Sequence, residues 1–90
     1  MSQVNDALFQ AMEAKGFVND ALNDRLRDWL LDRTGLPGGD INTLWYSFFV
    51  SLGSTAESLS DARREILTAK GYPGSVSDQM LAWANDGCPE

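Results

Sequence analysis

Two markers recur down this chain in step, and their period decides what the chain can fold into. A hydrophobe, then Asn or Ser, then usually Asp occurs at Val4-Asn5-Asp6, Leu22-Asn23-Asp24, Ile41-Asn42-Thr43, Leu59-Ser60-Asp61 and Val76-Ser77-Asp78. The spacings are 18, 19, 18 and 17 residues. A glycine closes each unit, at Gly16, Gly35, Gly53, Gly71 and Gly87. Two markers sharing one period point to a short structural unit used five times.

The chemistry of each marker says what the unit is. Ser, Asn and Asp offer side-chain oxygens to the free N–H groups of a first helical turn. Ser58-Leu59-Ser60-Asp61 and Ser75-Val76-Ser77-Asp78 fit a capping box, and Asp40 can cap the third helix. A carboxylate in the first turn also suits the positive end of the helix dipole. Glycine suits the left-handed residue that ends a helix, and Phe17, Leu36 and Tyr72 follow three of the glycines as apolar closing contacts. The unit is therefore a helix of about three turns plus a tight connection.

The expected fold is all-α: a compact array of five short helices built from units of about 18 residues. The helices fall near 3–15, 22–34, 41–52, 58–70 and 76–86, in one domain spanning residues 1–90. Short connections predict roughly antiparallel neighbours. The expected buried faces are Val4, Leu8, Ala11 and Met12 in the first helix and Leu22, Leu26, Trp29 and Leu30 in the second. The fourth offers Leu59, Ala62, Ile66 and Leu67, and the fifth Val76, Met80 and Trp83.

The third helix lies in an uncharged window from Ile41 to Ala56. Ile41, Leu44, Trp45, Phe48, Phe49 and Leu52 follow the rhythm of one helix face, while Tyr46 and Val50 lie on another. A helix apolar on more than one side is buried or covered by a partner, so it is expected to be the hub of the array. Tyr46 and Val50 are then the residues left over for an intermolecular contact.

Charge and size narrow the function. Seven Lys and Arg against 13 Asp and Glu give a net charge of −6. That disfavours a nucleic-acid surface, which needs clustered cations, and docking on anionic lipid. The 16 residues from 41 to 56 include Asn42, Thr43, Ser47, Ser51 and Ser54, too short and too polar to span a bilayer. No secretory signal is expected in Met1-Ser2-Gln3-Val4-Asn5-Asp6, and synthesis in a reducing cytoplasm follows.

Catalytic chemistry finds little to use. The chain has no His, which removes the commonest general base and metal ligand. Asp20, Asp24, Asp28 and Asp32 form a stripe along helix two, but Arg25, Arg27 and Arg33 are threaded through it. Asp24–Arg27 and Arg25–Asp28 pairs on a solvated face are the expectation, with no metal and no cofactor. Gly35-Leu36-Pro37-Gly38-Gly39-Asp40 has no preceding strand and no following Lys, so it is a connection and not a phosphate cradle. Cys88 reads as a free thiol on a frayed end, with an intermolecular disulfide as the sharper alternative. Arg63 breaks the apolar register, standing where the other units have Leu8, Leu26, Trp45 and Met80. It either snorkels past the core edge or meets a partner.

Units of the form Ser-hydrophobe-Asn/Ser-Asp, an apolar helix, then Gly-Tyr and Pro-Gly, resemble short tandem helical repeats of structural proteins in tailed bacteriophages. Gly71-Tyr72-Pro73-Gly74-Ser75-Val76-Ser77-Asp78 carries the resemblance most fully, and Leu22-Asn23-Asp24 next. Thr43, Ala21 and Ser54 depart from the pattern. The resemblance implies a non-enzymatic virion component, such as a head decoration, connector or tail-associated subunit, working through contacts with other virion proteins or copies of itself. A small acidic cytoplasmic adaptor or inhibitor of a host protein is the alternative.

Overall fold

A computed structural model describes residues 2–90, and it holds five helices. They are α1 (Gln3–Ala14), α2 (Leu22–Thr34), α3 (Ile41–Ser51), α4 (Leu59–Ala69) and α5 (Val76–Asn85), with no strand among the described residues. Four begin on the recurring hydrophobe itself and α1 begins one residue before it, as the period predicts.

The caps explain the boundaries. Ser2, Asp40, Ser58 and Ser75 each accept a bond from a first-turn backbone N–H, at 3.0 to 3.2 Å. Only α5 has the full capping box, in which Asp78 also accepts from the Ser75 N–H. In α4 the Ser58 bond stands without a reciprocal one from Asp61. Ala21 opens α2 with no side-chain cap.

All five closing glycines have positive φ, between 70° and 110°. Behind Gly16, Gly53, Gly71 and Gly87 the next residue donates back across the last turn. These bonds run Phe17 to Met12, Ser54 to Phe49, Tyr72 to Leu67 and Cys88 to Trp83, at 2.9 to 3.2 Å. This is the Schellman closure. Leu36 does not share it; there Gly35 donates to Leu31 in the simpler left-handed ending.

The helices form a closed ring. α1 packs on α2, α2 on α3, α3 on α4, α4 on α5, and α5 returns to α1, with no packing across the ring between helix backbones. By backbone packing α3 is flanked only by α2 and α4, but Trp45, Phe48 and Phe49 carry it across the centre to Trp83 of α5, so it is a hub through its side chains and not through its backbone. Nor do neighbours simply alternate in direction. A ring of five cannot alternate without one mismatched pair, and here first-turn residues of all five helices line one depression. The body measures 30 × 29 × 19 Å, and its thin dimension matches a helix of 10 to 13 residues at about 1.5 Å per residue. The connections carry the chain back across that thickness, which about six extended residues at roughly 3.3 Å each can do.

The centre is built from the same two positions of every unit. The seventh and eighth residues after the opening hydrophobe are Ala11 and Met12, Trp29 and Leu30, Phe48 and Phe49, Ile66 and Leu67, and Trp83 and Ala84, all buried. Trp29, Phe48 and Trp83 meet there, with ring centroids 4.9 to 6.4 Å apart. Trp45 stacks on Phe49 at 5.7 Å and 17°. Trp83 Nε1 donates to the Pro89 carbonyl at 2.9 Å, so its polar atom is satisfied.

The third position is also buried in every unit, at Ala7, Arg25, Leu44, Ala62 and Gln79. In two units it is polar and ties down the preceding connection. Arg25 donates to the Asn19 carbonyl at 2.7 Å and the Phe9 carbonyl at 3.1 Å, lies 3.5 Å over the Phe9 ring and faces Glu13 at 3.5 Å. Gln79 Nε2 donates to the Tyr72 carbonyl at 2.7 Å and Thr68 Oγ1 at 2.9 Å. The expected Asp24–Arg27 and Arg25–Asp28 pairs do not form. Arg25 is buried against α1, and Arg27 donates to the Gly39 carbonyl.

Phe48→Ala is expected to cost about 3–5 kcal/mol, because it opens a cavity among rings that cannot collapse together. Urea melts read the loss; a variant that melts like the parent would remove Phe48 from the centre.

Candidate functional site: the first-turn depression

The opening turns of all five helices gather around one depression of about 470 Å³. The recurring hydrophobe supplies its apolar ring: Val4, Leu22, Ile41, Leu59 and Val76. The next residue supplies uncharged polar groups, at Asn5, Asn23, Asn42 and Ser77. One helical turn deeper lie Leu8, Leu26, Trp45, Arg63 and Met80. The same side chains that define the period in the sequence therefore define this surface.

Its electrostatics differ from those of the whole chain. The chain carries 13 acidic residues, yet among the described residues no carboxylate lines the depression and Arg63 is the only charged side chain that does. The first-turn acids Asp6, Asp24, Asp61 and Asp78 sit two positions beyond the hydrophobe, off the lining. The positive ends of five helix dipoles lie at the rim.

Arg63 stands apart from the other cations. Arg25, Arg27, Arg64 and Lys70 donate to backbone carbonyls, Arg33 pairs with Glu90, and Lys15 lies 5.5 Å from the Trp29 ring centre. Among the described residues Arg63 has no hydrogen-bond or ion-pair partner, and its Nε is buried without an acceptor. Of the sequence-selected residues, it is the one the structure brings to the depression.

Tyr46 and Val50 lie elsewhere. Tyr46 is half-buried and its hydroxyl donates to the Ala56 carbonyl at 2.7 Å, so it holds the α3–α4 connection. Glu65 holds the same connection. It accepts from Ser54 Oγ at 2.7 Å and the Thr55 N–H at 2.9 Å, and these bonds keep its carboxyl below the usual range. Val50 is 41% exposed on the outside of the ring.

Cys88 requires a correction. It is fully buried, closes α5 and packs into the core, so it is neither a frayed end nor placed to bridge two molecules. Its position corresponds to Phe17 and Tyr72, the apolar closing residues of other units. Burial pushes the thiol up to about 12. Tyr72 is also raised to about 12, by burial first and then by its 2.7 Å bond to Asp86.

Among the described residues, no three His, Cys, Asp or Glu side chains cluster as metal ligands would. Nor, among the described residues, is any helix long and apolar enough to cross a membrane. The depression offers apolar contact, amide and hydroxyl hydrogen bonds and one guanidinium, a set suited to binding. No protein-family model matches the chain, and neither a curated protein nor a solved structure matches it.

Two outcomes follow. Arg63→Leu places here the residue found at Leu8 and Leu26, and it relieves a buried donor without an acceptor, so it is expected to stabilise the fold by about 1 kcal/mol in urea melts. A loss of stability would mean that the guanidinium is held internally. For Cys88 and Tyr72 the folded values lie above the ordinary 9.0 and 10.0, so the folded chain keeps protons that the unfolded chain releases. Their contribution is constant below pH 9 and is lost as pH rises from there toward 12. Cys88→Ala is expected to flatten the first part of that alkaline fall, and the native thiol to resist alkylation until urea unfolds the chain.

Proposed function

We propose that the chain is a non-enzymatic component of a tailed-bacteriophage particle, acting through protein–protein contacts made by the first-turn face. One observation carries the contact reading: equivalent positions of five helices present an apolar ring around a depression without carboxylates, on a chain of charge −6. Binding surfaces share that composition, with charge depleted at the centre and polar groups outside it. The particle setting rests on the resemblance of the helical units to those of phage structural proteins. In a head decoration, connector or tail-associated subunit such a module would serve as a rigid contact piece, with another virion protein or a further copy as its partner.

Quantitative mass spectrometry of purified particles tests the setting. Stoichiometric copies per particle are expected. A high number assigns a decoration role, and a few copies assign a connector or tail position. Absence from the particle overturns the virion reading in favour of a cytoplasmic adaptor using the same face.

A further inference from the structure

We infer that the first-turn depression receives a partner segment in which one Asp or Glu side chain is flanked by bulky apolar residues, the carboxylate pairing with Arg63. The inference rests on the reading of this depression as the contact face and adds the chemistry of its occupant.

Three observations converge on it. Among the described residues Arg63 is the one charged side chain in a lining otherwise apolar or uncharged, so an occupant of matching charge carries a single anion. Its Nε is buried without an acceptor among the described residues. The half-buried guanidinium has no partner among the described residues, and an entering carboxylate would pair with its accessible N–H groups in the planar geometry that guanidinium favours. Third, Val4, Leu22, Ile41, Leu59 and Val76, one from each helix, line the same depression as Arg63. An acid held among such residues needs apolar neighbours on both sides, which an internal Asp or Glu has and a chain end lacks.

The surroundings favour one anion and disfavour several. Asp6, Asp24, Asp61 and Asp78 lie in the same first turns outside the lining. A segment with acids spread along its length would meet them as it left the depression. The occupant is therefore apolar with a solitary acid, and not a polyanion.

The test is selection of displayed random peptides on the full chain, run in parallel on wild type, Arg63→Leu and Ile41→Glu. Arg63→Leu places here the side chain of Leu8 and Leu26, and circular dichroism of both variants checks that the baits are folded. Wild type is expected to enrich sequences with one Asp or Glu between aromatic or aliphatic residues. Changing that acid to its amide is expected to weaken binding by about tenfold or more. On Arg63→Leu the acid and amide forms are expected to bind alike, which isolates the pair as a double-mutant cycle does. Apolar sequences without an acid, abolished by Ile41→Glu, would overturn the pairing and leave the contact face standing. Sequences still bound by folded Ile41→Glu, or no enrichment at all, would remove the face and the pairing with it.

Discussion

None of these helices can stand alone. At 10 to 13 residues each falls at or below the length of roughly 12–15 at which an isolated helix becomes marginal in water. The fold therefore depends on the shared centre, where the seventh and eighth residues of every unit are buried together. Trp29, Phe48, Phe49 and Trp83 fill it with large rings, and the smaller Ala11 and Ala84 leave room for them. Every helix owes its existence to side chains from the others.

With the centre occupied, the ends of the units take up the remaining work. The C-terminal turns close with left-handed glycines and a residue folded back into the core. Where that residue is polar, as at Ser54, Glu65 satisfies it. Arg25 and Gln79 occupy equivalent buried places and use their extra atoms to fasten the connections that precede their own helices. The opening turns are left with an apolar ring that no other described part of the chain covers.

Much of the helix map was legible from the caps, the glycines and the period, because those signals are local. The ring was not. Helix and connection lengths are compatible with alternating neighbours, and only the contact of α5 with α1 closes the circle. Arg25 looked like part of a solvated charged stripe, since its neighbours Asp24 and Asp28 are charged and exposed. Aligning the units by position places it with Ala7, Leu44 and Ala62, a signal for burial that periodicity within one helix does not carry. The same alignment sets Cys88 beside Phe17 and Tyr72, as a core residue and not a tail. Arg63 was recognisable as out of register; that its register position faces a depression needed the ring.

Closure also limits how such a chain can vary. An open stack of helical units grows by adding another at either end, and it needs special units to cover the exposed ends. Here α1 and α5 cover one another, so no unit is first or last in space. A sixth could enter only by parting an existing seam and widening the centre that the tryptophans now fill. The count of five is thus fixed by the volume of the middle, whereas the point at which the circle is cut into a beginning and an end is arbitrary, and the chain could be re-threaded to start at another connection without losing a helix contact.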